Sequence, residues 1–291
     1  MVTVTGNRLA RAFVFISVSM ALWAAGPELD RARELYNRTE FDESLKLLQA
    51  IPAKDAPVYA LMGRNYFMQG EYKRASESLE KATAADPASA EYALWLARAY
   101  GRRAETASPF TAPAQASKAR QNFEKAVQLA PRNLDALNDL FEYYLEAPGF
   151  LGGGMDKAQG MVERIRAVSP TDGHWAEARL AEKHREYSTA EDQLRRAIET
   201  SPRQVGRFID LAKFLVRQGR VQEADQSLAR ASEIAGDSPK LMYAKADLYI
   251  QTKRNLPLAR ELLKRYLACQ LTPDDPPRAD ALRLLRQLQS S

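Results

Sequence analysis

Two histidines, one cysteine, a triple glycine and a pair of aspartates are the residues from which a reaction centre would have to be assembled. His174 and His184 stand apart, with no H-E-x-x-H arrangement and no cysteine partners, so they supply no zinc-ligand set. His184 reads as a helix-surface residue. The run Gly152-Gly153-Gly154, followed by Asp156-Lys157, has the glycines of a phosphate cradle. It has neither the G-K-[ST] ending nor a preceding strand, and reads as a turn entering a helix. There is no G-x-S-x-G. Asp274 and Asp275 lie in a proline-rich loop, where helix capping is the expected use. Cys269 is alone, which excludes an intrachain disulfide and a multi-cysteine metal site. The sequence implies no catalytic residue, no metal and no cofactor.

Composition sets the frame for what would position any site. The chain has 291 residues, 45% of them hydrophobic and 27% charged, which is the balance of a folded protein. That length exceeds what one core serves comfortably, so repeats or two domains are expected. The formal charge is +5 and falls to +3 without Arg8 and Arg11, an excess too small and dispersed for nucleic acid. Residues 8–26 place two arginines before an apolar run from Ala12 to Ala25 and then small residues, the order of a secretory signal. Residues 1–25 are therefore expected to be a signal peptide and the protein to be exported, to the periplasm or cell envelope. The alternative is an uncleaved anchor in the inner membrane, although the run is shorter than the ~20 residues that span a bilayer.

Self-similarity covers nearly all of the rest. Residues 59–87 carry Tyr59-x2-Met62-Gly63-x2-Tyr66, then Ala75-x3-Leu79, then Ala82 and Pro87. Positions three, four and seven apart share a helix face, so Gly63 and Ala75 are small where two antiparallel helices must approach. Gly70 can end the first helix with a positive φ, and Pro87 stops the second. Other copies centre on Ala32 with Ser44, Ala97 with Ala119, Leu140 with Ala158, Ala178 with Ala190, Ala212 with Ala224, and Ala246 with Ala259. Pro52, Pro131, Pro170 and Pro202 close the earlier copies as Pro87 does. Two copies carry insertions, at 101–116 and 146–155.

This pattern resembles the tetratricopeptide repeat, a 34-residue helix-turn-helix unit with the signature W-x2-L-G-x2-Y, A-x3-F and a closing P. The resemblance implies an all-α fold, an α-solenoid wound as a right-handed superhelix of about seven hairpins over residues 26–273. Residues 274–291 then form a capping helix, with Ala281, Leu284, Leu285 and Leu288 on its apolar side.

The resemblance also implies a concave groove lined by the first helix of each hairpin. The place after the small slot holds Arg33, Arg64, Arg98, Glu142, Arg179, Lys213 and Asp247; neighbouring groove places hold Tyr36, Phe67, Leu94, Trp175, Ile209 and Tyr243. Such a surface suits a protein or extended peptide with acidic side chains or a free carboxylate, paired bidentately by arginine. The competing use of those arginines is a solvated charged face. The family's Lys and Asn clamp for a C-terminal carboxylate is not reproduced, and Asp135, Asp139 and Glu142 make the middle acidic. The expected function is a non-catalytic scaffold in cell-envelope assembly or complex formation. Alternatives are an RNA-binding helical repeat, or an enzyme or its accessory subunit whose site the insertions build.

Overall fold

The computed structural model describes residues 21–289, so the expected signal lies outside the described residues up to position 20. Helix α1 (Ala21–Asn37) runs through the expected junction near residue 25. Among the described residues no helix is long and apolar enough to cross a membrane.

Hairpin follows hairpin. Helix α1 pairs with α2 (Phe41–Ala50), α3 (Ala56–Met68) with α4 (Tyr72–Ala85), and α5 (Ala90–Thr106) with α6 (Ala112–Leu129). Then come α7 (Leu134–Glu146) with α8 (Met155–Val168), α9 (Pro170–Lys183) with α10 (Tyr187–Thr200), and α11 (Val205–Arg217) with α12 (Val221–Ala235). The seventh pair is α13 (Pro239–Gln251) with α14 (Leu256–Ala268), and α15 (Arg278–Gln287) follows. One short 3-10 turn, η1 (Gly149–Leu151), precedes α8, and the described residues contain no strand.

The turns inside the hairpins are built alike. Two residues past the end of α1, α3, α9, α11 and α13 stand Thr39, Gly70, Arg185, Gly219 and Lys253, each with φ between 52° and 80°. The next amide then reaches back to close the turn: Glu40 to Leu35, Glu71 to Tyr66, Glu186 to Ala181, Arg220 to Leu215 and Arg254 to Tyr249, all at 2.9 Å. That bond satisfies a carbonyl which the helix end leaves open. Between hairpins the device changes. Pro52, Pro87, Pro131, Pro170 and Pro202 each stand two residues beyond the end of a second helix, where a proline cannot continue it. Asp55, Ser89, Asn133 and Ser169 then accept hydrogen bonds from the amides of Val58, Tyr92, Ala136 and Asp172 and start the next first helix.

The small residues sit where the helices meet. A Cβ on Gly63 would lie 2.4 Å from Leu79 Cγ, and Ala75, Ala97, Ala158, Ala212 and Ala246 have no exposed surface. Ser44 in the first hairpin is equally buried and donates to the Ala32 carbonyl at 2.8 Å. Burying each leucine-sized neighbour contributes about 1.5–3 kcal/mol. The core is divided into three clusters: one from Leu29 to Leu180, one from Ala178 to Leu248, and one from Met242 to Leu288. Trp175 packs against both of the first two.

The insertions take different forms. Most of 101–116 is helical, because α5 and α6 are lengthened to 17 and 18 residues and only five residues link them. The segment at 146–155 is a true loop. There Gly152 has φ +85°, and a Cβ on Gly153 would stand 1.9 Å from the Ala147 carbonyl oxygen, so the triple glycine is a turn entering α8. Each linker displays one exposed phenylalanine, Phe110 and Phe150.

Candidate functional site

First helices of neighbouring hairpins touch one another, α1 with α3, α3 with α5, α7 with α9 and α11 with α13, and no successive second helices approach as closely among the described residues. The first helices therefore line the inside of the curve, where the sequence places its groove.

Four of the expected residues come together at the N-terminal end. The Arg64 guanidinium stands 4.7 Å from the Tyr36 ring and 5.1 Å from the Trp95 ring, and the Arg98 guanidinium stands 5.1 Å from that same Trp95 ring. Cation and ring thus alternate across three hairpins, a geometry that contributes about 0.5–2 kcal/mol per contact. Phe67 meets Trp95 and Tyr72 edge-on, both at 5.4 Å. Trp95 was not among the expected residues, although it precedes Arg98 by three and Arg102 by seven, the spacing of one helix face.

Three more meet in the middle. Trp175, Arg179 and Lys213 line a cavity of about 240 Å³, which adjoins another of about 310 Å³ walled by Asp135, Asp139, Asp172 and Arg207. Trp175 and Asp210 belong to both. Arg33 stands apart, paired with Asp30 on its own helix at 2.8 Å, and Tyr243 meets Tyr266 in a tilted contact at 5.5 Å near the C-terminus.

Tyr36, Leu94 and Ile209 differ from the expected groove placement: all three are buried. Each lies on the side of its helix that packs against the partner helix or the next hairpin, so these residues form the floor under the surface rather than its lining.

Apart from Arg33, the groove arginines are already paired with an acid one hairpin away. Arg64 donates to Glu91 at 2.9 Å and Arg98 to Asp139 at 2.6 Å. Arg179 grips Glu142 with two bonds of 2.8 and 3.0 Å, and Arg207 reaches Asp172 at 2.7 Å. Arg217 binds Glu182 at 2.6 and 2.8 Å. These pairs tie consecutive first helices and balance the charge of the inner face. Exposed pairs contribute about 0.2–1 kcal/mol each, more where the fork is bidentate and shielded.

Burial has its own effect on the acids. It pushes the Asp139 carboxyl above its ordinary range against the pull of Arg98, and the Asp210 carboxyl up against Arg207, Lys213 and Lys240. Hydrogen bonding to Glu142 raises Arg179 and keeps it charged. The inner face can therefore offer fixed charges of both signs and aromatic rings, but the histidines add no chemistry to it. His174 is hydrogen-bonded through Nδ1 to Gln193 Oε1 at 2.7 Å, and His184 ends α9 at the surface. Among the described residues no group of three or more ligating side chains could hold a metal ion.

No curated protein matches this sequence. A family model described as tetratricopeptide repeat matches residues 60–107, 175–239 and 209–276. Among solved structures, a tetratricopeptide repeat protein from Parabacteroides merdae is similar over 91% of this chain and 98% of its own, at 14% identity and a TM-score of 0.58. A thermophilic repeat protein of Thermus thermophilus covers 66% of this chain with all of its own length, at 20% identity and a TM-score of 0.54. Human IFIT1, solved as a dimer with PPP-AAAA, covers 83% of this chain with 53% of its own, at 18% identity and a TM-score of 0.52. With its alternating helix pairs, recurring small residues and matched repeats, the chain belongs to the tetratricopeptide repeat family, whose fold serves as a protein-interaction scaffold.

Proposed function

We propose that this protein is a non-catalytic scaffold that holds an extended segment of a partner protein along its inner face, and that it does so in the cell envelope. The observation that carries the reading is the row of Arg64, Trp95 and Arg98 on the inner face, with Arg64 seated over the buried Tyr36 ring, so that ring and guanidinium groups are continuous over three hairpins. Acidic side chains of a partner would exchange with Glu91 for Arg64, whose fork is only partly covered. In the middle, Asp135, Asp172 and Asp210 would meet basic side chains instead, so the bound segment carries acidic residues at one end and basic ones at the other. Residues 8–26, with their basic end and apolar run, support the envelope location.

RNA is a weaker fit, because the inner-face arginines already hold carboxylates and the middle cavities are walled by aspartates that repel phosphate. The test is a photo-crosslinking amino acid placed at Phe67 and Lys213 on the inner face and at Glu77 and Lys125 on second helices, in the native cells. Crosslinks to one protein from the inner positions alone, unaffected by nuclease and weakened at least fivefold by Arg64→Gln, are expected. Equal labelling from the outer positions, or nucleic acid as the captured species, overturns the reading.

A further inference from the structure

The expected cap does more than cover the last hairpin. Helix α15 buries Ala281, Leu284 and Leu288 against α13 and α14. The segment before it is held to that hairpin too: Tyr266 donates its hydroxyl to the Pro276 carbonyl, Arg278 donates to the Leu267 carbonyl at 2.5 Å, and Leu271 is buried. The other side of the same segment faces the beginning of the chain. Asp280 forms an ion pair with Arg102 of α5 at 3.6 Å, and Ala279 lies against Gly70, at the turn between α3 and α4. Arg102 is itself held by the Tyr72 hydroxyl at 2.9 Å and stands 5.0 Å from that ring. Electrostatics agree with this proximity. Asp274 acts on Tyr36 of α1, and burial together with Asp280 and Asp247 pushes Tyr243 up to about 12.

The two attachments are unequal. To its own hairpin the segment is joined by an apolar core and carbonyl hydrogen bonds. To the first hairpins it is joined by the Asp280–Arg102 pair and the touch of Ala279 on Gly70, and the core cluster of residues 242–288 is separate from that of residues 29–180. An ion pair of this exposure shifts an equilibrium by no more than about fivefold. It is a contact that can be made and released without unfolding either end.

The composition of the segment bears on what it imitates. Residues 272–280, Thr-Pro-Asp-Asp-Pro-Pro-Arg-Ala-Asp, are acidic and proline-rich, and those before α15 are non-helical. That is the chemistry the ring-and-guanidinium strip of the first hairpins suits.

We propose that the chain closes on itself through Asp280 and Arg102, that residues 272–280 thereby occupy the N-terminal part of the inner face, and that an acidic, proline-containing segment of a partner binds there by displacing them. The proposal rests on the inner-face reading above and names the chemistry of the partner at that end. Release of the latch uncovers Arg102, which stays held by the Tyr72 hydroxyl and by Glu105 at 2.6 Å.

The test uses the full chain with Cys269→Ser and dyes on cysteines introduced at Thr106 and Leu282, both exposed, read by single-molecule energy transfer. The native chain is expected to be mainly closed. Asp280→Lys is expected to lower the closed-to-open ratio at least threefold, and combining it with Arg102→Glu restores the ratio. A synthetic peptide of residues 270–283 added in trans opens the native chain and binds the Asp280→Lys variant at least threefold more tightly. An open native chain, or a ratio unmoved by Asp280→Lys, overturns the latch, while inner-face crosslinks in the same cells leave the groove reading standing. A closed chain that the peptide neither opens nor binds overturns the displacement step. Loss of inner-face crosslinks in a chain that is closed and responds to Asp280→Lys overturns the groove reading instead.

Discussion

Gly63→Ala isolates the geometry on which the repeat depends, because two known effects oppose each other there. In a helix interior alanine is favoured over glycine by about 1 kcal/mol, so on propensity alone the substitution stabilises α3. The structure says otherwise. The new Cβ would stand 2.4 Å from Leu79 Cγ and 3.1 Å from the Ala75 carbonyl oxygen, and Leu79 has no exposed surface to move into. Carbon atoms in good contact are about 3.5–4.0 Å apart, so Leu79 or the whole of α4 must retreat by about 1 Å. Overpacking of that kind costs about 1–3 kcal/mol, and the demanded shift points to the upper part of the range. The net expectation is a loss of about 1–2 kcal/mol. In a Leu79→Ala background the obstructing carbon is gone, and Gly63→Ala should then stabilise by up to about 1 kcal/mol. The coupling between the two sites is therefore about 2–3 kcal/mol. Urea unfolding followed by helical circular dichroism on the four proteins measures it, with hydrogen exchange in α3 and α4 reporting the local unit of a chain that need not unfold in one step. A native-background Gly63→Ala that raises stability, or an effect of the same sign in both backgrounds, refutes the reasoning.

Two other perturbations probe the turns and the inner face. Arg185 holds φ +64° at an exposed turn where Gly70 and Gly219 serve elsewhere, and a non-glycine residue in that region costs about 1–2 kcal/mol. Part of that is offset by the greater freedom of glycine in the unfolded chain, so Arg185→Gly should raise stability by about 0.5–1 kcal/mol and the melting temperature by a few degrees; an unchanged or lower value contradicts the turn assignment. Asp210 tests burial against ion pairing. Burial raises its carboxyl pKa above the unfolded value, so the folded state holds the proton more readily and this residue's contribution falls as pH rises from the ordinary carboxylate range near pH 4 through the raised value. Asp210→Asn removes that dependence. Its urea midpoint should gain on the native chain across that window and keep the gain at neutrality, and a gain confined to acid reverses the sign and refutes the account.

The repeat was legible because its cause is local and periodic. A small residue every hairpin, a positive-φ turn two residues past five of the seven first helices and a proline two past five of the seven second ones are all set by contacts within about 35 residues of chain. Where the cause is not local the reading failed or fell silent. The stretch 101–116 lacks an apolar period, and its extension of α5 and α6 depends on how those two helices lie along each other. Tyr36, Leu94 and Ile209 carry the right spacing for a groove, yet which side of a first helix faces inward depends on the rotation between hairpins. The ion pairs left a faint trace. Arg98 with Asp135 and Arg179 with Glu142 are 37 apart, and Arg207 with Asp172 and Arg217 with Glu182 are 35 apart, so acid and base recur about one repeat apart. The approach of α15 to α5 left none, since it follows from the pitch accumulated over five hairpins.

The division of the core into three clusters has a mechanical consequence. Each boundary runs along one helix: α9 gives Ala176 and Leu180 to the first cluster and Ala178 and Ala181 to the second, and α13 gives Leu241, Ala244 and Leu248 to the second and Met242, Ala246 and Ile250 to the third. A load on the two ends therefore passes from core to core through the bodies of α9 and α13. Those two helices are the keystones of the arch, since loosening either one unseats two cores at once.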